Sequence, residues 1–160
     1  MNDFNTDGAP DFAVANRLSD TVSVILGNGH GRFRAAENYL ASATLDFAEP
    51  AALAAGDFTG DGLLDIVVAK DVGSFDGSLG LLVGKSNGTF QTATDHAGGE
   101  RPNSLAVGDF DRDGWLDVVT AGVGNFFGGS GANVLLGNGN GTFQPPANYA
   151  AGISPSSVAV

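Results

Sequence analysis

Three stretches of the chain repeat one arrangement of oxygen-bearing side chains. Asp109-Phe-Asp111-Arg-Asp113-Gly-Trp-Leu-Asp117 puts carboxylates at positions 1, 3, 5 and 9 of a short loop, with Gly114 at position 6, where the chain must turn sharply. Hard divalent cations such as Ca²⁺ take roughly six to eight oxygens, and this spacing lets one loop wrap an ion. The backbone carbonyl of Trp115 would supply position 7. Upstream, Asp3, Asn5, Asp7, the carbonyl of Ala9 and Asp11 offer the same set around Gly8. Between them lie Asp57, Thr59, Asp61, the carbonyl of Leu63 and Asp65, around Gly62. Thr59 brings a hydroxyl where an amide or carboxylate is expected, so this second loop should bind more weakly, because ligand charge tunes affinity. Up to three Ca²⁺ per chain are expected.

The first aspartates of the three phrases stand at 3, 57 and 109, a spacing near fifty residues that marks a repeat architecture. The elements that must position the loops repeat with them. Each phrase runs directly into an apolar run: Phe12–Ala15, Ile66–Ala69 and Val118–Ala121. A variable loop and a second run follow: Val22–Leu26, Leu79–Val83 and Asn133–Leu136. That run ends in Gly27-Asn-Gly-His-Gly-Arg-Phe33, Gly84-Lys-Ser-Asn-Gly-Thr-Phe90 or Gly137-Asn-Gly-Asn-Gly-Thr-Phe143. Such Asn-Gly pairs supply the positive φ angles of hairpin turns and so join antiparallel neighbours. A less regular strand passes through Tyr39 and Tyr149, and an apolar strand (51–55, then 104–107) leads into the next phrase. That makes four short strands per unit, and no stretch of ten residues holds a helical period. The fold class is all-β.

The chain has 160 residues, of which 42% are hydrophobic, enough for a well-buried unit. Its formal charge is −11 with only 7 Lys and Arg, which argues against nucleic acid or anionic membrane as partner. Three divalent ions bring six positive charges and would leave −5, relieving repulsion that the metal-free protein must carry. There is no cysteine, hence no disulfide or thiolate site, and no apolar run long enough to span a bilayer. His30 and His96 occupy non-equivalent places with no recurring partner, so neither a catalytic triad nor zinc is expected. Strands flank the loops, and position 12 holds Val14, Val68 or Thr120 where an EF-hand needs a bidentate glutamate, so this is not an EF-hand.

The string Ala-Val-Gly-Asp-Phe-Asp-x-Asp-Gly-x-x-Asp-Val-Val, followed by Leu-Gly-Asn-Gly-x-Gly-Thr-Phe, resembles the FG-GAP/VCBS-type repeat of integrin α-subunit heads and many bacterial surface proteins. The likeness runs along essentially the whole chain. It implies a β-propeller of four-stranded blades, with Ca²⁺ between a blade's first and second strands. In that frame residues 1–48 hold strands 2–4 of one blade, 49–100 and 101–153 are whole blades, and 154–160 align with the innermost strand of a further one. Three blades' worth of strands are too few to close a ring, since propellers have about four to eight. Closure by oligomerisation is therefore expected, with six blades as a homodimer favoured over nine as a trimer.

Phe4, Phe58 and Phe110 share one register and Phe33, Phe90 and Phe143 another, which predicts packing between blades. Ligand contacts should instead lie where the repeats differ. Phe75, Asn125, Phe126 and Phe127, in glycine-rich loops, are the candidates for gripping a sugar or peptide. The expected function is recognition or adhesion at an extracellular or bacterial cell surface, binding glycan or protein without catalysis. Two alternatives stay open: a self-assembling structural propeller, and part of a polysaccharide lyase, in some of which similar blades occur.

Overall fold

Residues 2–44, 48–71, 77–123 and 131–160 are described in the computed structural model. They form three antiparallel sheets in chain order. The first holds β1 (Phe12–Asn16), β2 (Thr21–Ile25) and β3 (Glu37–Leu40). The second runs β4 (Pro50–Gly56), β5 (Asp65–Lys70), β6 (Gly77–Leu82), β7 (Thr94–Gly99), and the third β8 (Pro102–Gly108), β9 (Asp117–Gly122), β10 (Gly131–Leu135), β11 (Ala147–Ala150). Among the described residues the only helical turn is a 3-10 turn at Arg17–Ser19. Each sheet is a meander of neighbours, and the registers repeat: Phe12 faces Ile25, Ile66 faces Leu82 and Val118 faces Leu135. These are propeller-type blades.

The core lies between sheets. Ile66 and Val68, on one face of β5, join Phe4, Val22, Val24 and Phe90 in a cluster shared by the first and second sheets. Val67 and Ala69, on its other face, join Phe58, Leu79, Leu81, Val118 and Leu135 between the second and third. Buried on both faces, β5 reads as an unbroken apolar run, and the alternation of a strand sends its side chains into two cores. Each fully buried Val, Ile or Leu contributes about 1.5–3 kcal/mol. Four of the six phenylalanines in the two aromatic registers pack between sheets as expected, while Phe33 packs on Phe12 of its own sheet and Phe110 stays partly exposed. Phe4 meets Phe90 edge-on at 5.5 Å between centroids, and Phe58 meets Phe143 at 5.9 Å, each pair crossing from one sheet to the next.

The hairpins dock on the phrases so closely that glycine is required at their first residue. A Cβ at Gly27, Gly84 or Gly137 would come within 2.2 Å of the carbonyl oxygen of Pro10, Leu64 or Leu116. The same three glycines bridge to Phe33, Phe90 and Phe143 across the turn.

One polar element of the core was not legible in the sequence. Lys70 is fully buried in the second sheet, and its ammonium is ion-paired with Asp95 of β7, which keeps about a third of its side chain exposed (31%). Ser42 and the N–H of Ala43, in the segment after β3, donate to the same carboxylate at 2.8 and 3.0 Å. Asp95 thus ties the first sheet to the second. Burial alone would raise its pKa, but the hydrogen bonds from Lys70 and Ser42 and the Lys70 charge outweigh it and hold the carboxyl below its ordinary value.

Residues 155–160 form no strand. The Pro155 carbonyl accepts from Asn103 Nδ2 at 3.2 Å, and the N–H of Val158 donates to Ser104 Oγ at 3.2 Å, so the segment lies along β8. The segment carries no hydrogen-bond ladder of its own among the described residues.

Replacing Phe90 by alanine should cost about 3–5 kcal/mol in urea unfolding, because the ring fills a site walled by Phe4 and Tyr39. Exposed Leu18 should tolerate alanine within about 0.5 kcal/mol. Asp95→Asn strands a buried ammonium and should cost about 2–3 kcal/mol at pH 7, somewhat less than a wholly buried pair. A carboxylate with a depressed folded-state pKa stabilises above its unfolded pKa and ceases to as pH falls through the folded one. The stability gap between Asp95→Asn and the native chain should therefore close only below about pH 4, as read from urea midpoints.

Candidate metal centre

Each phrase is a tight loop closed by its own carboxylates. At position 1, Asp3, Asp57 and Asp109 accept from the N–H of the glycine at position 6, at 2.8, 2.8 and 3.1 Å. At position 5, Asp7, Asp61 and Asp113 accept from the N–H of Ala9, Leu63 and Trp115 at 2.8–2.9 Å. The turn glycines Gly8, Gly62 and Gly114 have φ of 81°, 81° and 94°, which other residues rarely adopt. Position 4 is also left-handed, at Thr6 (57°), Gly60 (74°) and Arg112 (64°). Only Gly60 signalled that conformation in the sequence.

Position 9 does more than its spacing revealed. Asp11, Asp65 and Asp117 are buried, and each carboxylate accepts two backbone N–H groups. One comes from position 2 of the loop: Phe4 at 2.8 Å, Phe58 at 2.9 Å and Phe110 at 2.7 Å. The other comes from the hairpin: Gly27 at 2.7 Å, Gly84 at 2.8 Å and Gly137 at 2.8 Å. A carboxylate has about four lone-pair sites, so two remain for a cation. The recurrence of glycine at the head of every hairpin was the available signal for this second role.

The third loop gathers the strongest donor set. Single carboxylate oxygens of Asp109, Asp111 and Asp117 all lie within 4.8 Å of one another, the only such acidic group among the described residues. Two oxygens on one Ca²⁺ can be no more than about 5 Å apart, twice the Ca–O distance, so this all-oxygen set fits that ion. Asp113 sits beside it, its N–H bonded to both Asp109 and Asp111. The Asp111 carboxyl is pushed up, first by lost hydration and then by the charges of Asp113, Asp117 and Asp109, set against a hydrogen bond from the Asp113 N–H. That is repulsion a divalent ion would relieve.

The other loops differ at position 3. Asn5 turns its amide nitrogen to Asp7 at 2.9 Å and accepts from the Asp7 N–H, so its oxygen faces the loop interior. The Thr59 hydroxyl lies 3.5 Å from Asp57 Oδ1, a weak contact. Burial pushes the Asp65 carboxyl up, while N–H donation from Gly84 and Phe58 holds it down in part. Asp7 is held below its ordinary value, chiefly by the Ala9 N–H.

Phe75, Asn125, Phe126 and Phe127 lie outside the described residues. The structure instead shows a groove of about 760 Å³ between the outer strands of the second and third sheets, lined by Asp95, His96, Glu100, Asn133 and Asn148 among others. Sequence reasoning set His96 aside because its place does not recur, and it singled out none of the others.

The model of the FG-GAP-like repeat family matches residues 3–68 and again 57–120, each match running from one acidic phrase through the next. No curated protein matches the chain.

Calorimetric titration should find the tightest Ca²⁺ site in the third loop and the weakest in the second. Asp111→Asn should weaken the third site about tenfold or more while leaving melting in EDTA no lower, since it removes a crowded charge. Asp117→Asn should cost about 1–3 kcal/mol even in EDTA, because an amide offers one acceptor oxygen to two N–H donors. Since the Asp111 pKa is raised, protons should compete for the third loop at a higher pH than at an ordinary carboxylate site.

Proposed function

The chain belongs to the FG-GAP-like repeat family, and from that premise we propose that it is a calcium-stabilised β-propeller segment that recognises glycan or protein ligands at a cell surface. The observation that carries the reading is the clustered carboxylate set of Asp109, Asp111 and Asp117, held by the same hydrogen bonds that shape its two sister loops. Ca²⁺ there supplies charge compensation and rigidity. The chain's own residues do the rest: positions 1 and 5 fold the loop, and position 9 locks it to the hairpin.

Repeats of this family are typically extracellular, where millimolar Ca²⁺ suits low-charge loops such as the second. No helix among the described residues is long and apolar enough to cross a membrane. Display of ligand-binding loops on a rigid scaffold is the usual division of labour in such folds. The groove beside Asp95, His96, Asn133 and Asn148 offers carboxylate, imidazole and amide groups, a chemistry suited to sugar hydroxyls. Burial lowers the His96 pKa, keeping the ring neutral and hydrogen-bonding near neutral pH. The part played by Phe75, Asn125, Phe126 and Phe127 in ligand contact belongs to the same proposal. We read the protein as binding and not catalysing.

A glycan and cell-surface protein array, probed with the chain in Ca²⁺ and in EDTA, tests this reading. Binding that needs Ca²⁺ and falls on His96→Ala or Asn148→Ala supports it. Binding indifferent to chelator removes the calcium part, and turnover of an acidic polysaccharide removes the non-catalytic part.

A further inference from the structure

Asparagine followed by glycine can react with its own main chain, because the second residue has no side chain to keep its nitrogen from the asparagine Cγ. Asn-Gly occurs four times, at Asn28-Gly29, Asn87-Gly88, Asn138-Gly139 and Asn140-Gly141. All four lie in the hairpins headed by Gly27, Gly84 and Gly137. Two conditions decide whether such a pair reacts. The glycine nitrogen must be free to attack, and the amide oxygen needs donors for the charge it acquires.

The four pairs differ on both counts. The Gly88 N–H donates to the Lys85 carbonyl and the Gly141 N–H to the Phe58 carbonyl, each at 2.9 Å. Both glycines also back onto the preceding sheet, where a Cβ would come within 3.0 Å of Asn5 and 3.2 Å of Thr59. The Asp-Gly pairs of the acidic phrases, which can form the same ring, are held likewise, their glycine N–H bonded to position 1. The N–H groups of Gly29 and Gly139 donate to no described residue. Gly139 is nevertheless covered by the Trp115 ring, which a Cβ there would strike. Its neighbour Asn138 turns Nδ2 to Thr142 Oγ1 at 2.9 Å, and no described residue donates to its oxygen. Gly29 is exposed, and a Cβ there would meet only Ala9, at 3.8 Å. Asn28 Oδ1 accepts from the N–H of His30 at 2.9 Å and of Arg32 at 3.2 Å. Asn28-Gly29 alone combines a free nitrogen, open surroundings and an amide oxygen held by two backbone donors.

We propose that Asn28 is a self-modification site, deamidating through a cyclic imide with Gly29. The Gly29 nitrogen gives its proton to solvent base and bonds to Asn28 Cγ, moving an electron pair onto Oδ1. The His30 and Arg32 N–H groups stabilise that oxyanion. As the carbonyl re-forms, the Cγ–Nδ2 bond breaks and Nδ2 takes a proton from water to leave as ammonia. Water then opens the imide at either carbonyl, giving aspartate or isoaspartate. Isoaspartate routes the main chain through Cγ and so lengthens it by one carbon. It does so inside a turn closed by the Asn28 N–H on the Arg32 carbonyl at 3.1 Å, and beside Gly27, whose N–H docks on Asp11 at 2.7 Å. The lock between the first hairpin and the first acidic loop is therefore the one that loosens as the protein ages. This reading depends on neither metal nor ligand.

Timed incubation of the full chain in warm, mildly alkaline buffer, folded and in urea, followed by peptide mapping with mass spectrometry, tests it. In the folded chain Asn28 should convert to aspartate and isoaspartate about tenfold or more faster than Asn87 or Asn140. In urea, where the hairpins are gone, the four rates should converge. The isoaspartate form, separated by anion exchange, should melt below the native chain in EDTA. Asn28→Asp gains the same charge without the extra carbon and should melt close to the native chain. Folded-state conversion led by Asn87, Asn138 or Asn140, or equal at all four, overturns the proposal. So does an Asn28 that stays intact while the urea-unfolded chain converts. An isoaspartate form that melts like the native chain overturns the loosening of the hairpin lock.

Discussion

Everything in this structure hangs on a buried carboxylate that accepts two backbone N–H groups. Asp11, Asp65 and Asp117 each tie the first peptide of a cation loop to the first peptide of a hairpin that lies 16 to 20 residues further on. Charge-assisted bonds of this kind are stronger than neutral ones, and burial makes them costly to lose. The loop's shape, the hairpin's position and the start of the following strand are therefore fixed together. A cation would add to an already ordered loop. The remaining lone pairs of the position-9 carboxylate point to a site built before the ion arrives, which lowers the ordering cost of binding.

The same arrangement explains why the sheets stack as they do. The hairpin that Asp65 holds carries Phe90, and the one that Asp117 holds carries Phe143. Those rings cross to the preceding sheet, so a hydrogen bond inside one sheet aims the aromatic contact between two. Apolar burial supplies most of the stabilisation there, and polar geometry decides where it falls. In the first sheet the hairpin ring, Phe33, instead packs edge-on against Phe12 of β1 at 5.0 Å between centroids and stays half exposed.

Much of this was legible in the sequence because a repeat states each feature three times. The spacing of the acidic phrases and the Gly-Asn-Gly turns predicted strands and loops that the structure bears out within a residue or two, and the phenylalanine registers predicted the two inter-sheet pairs, Phe4 with Phe90 and Phe58 with Phe143. What did not repeat was not legible. Lys70 stands where the sister sheets have Asn16 and Gly122, and its partner Asp95 comes from β7, two strands away, which no single residue announces. The groove beside His96 is likewise made of one-off residues from two sheets. The left-handed turn at position 4 was hidden because Thr6 and Arg112 are residues that rarely adopt it. Spacing also could not separate a metal ligand from a hydrogen-bond acceptor at position 9, since an aspartate serves both.

Position 3 joins the local and the global arrangement. Asn5 and Thr59 belong to the acidic loop of one sheet and rest on the turn glycine of the next, so an ion held at that position would also brace a seam. The side chain there is the one feature that differs among the loops: amide, hydroxyl and carboxylate in turn. Carboxylate occurs at Asp111, in the loop whose acidic oxygens cluster. Its charge and its crowding by Asp109, Asp113 and Asp117 make that loop the least self-sufficient of the three. A cation held there would cancel that repulsion, most effectively through Asp117, whose burial keeps water from screening it.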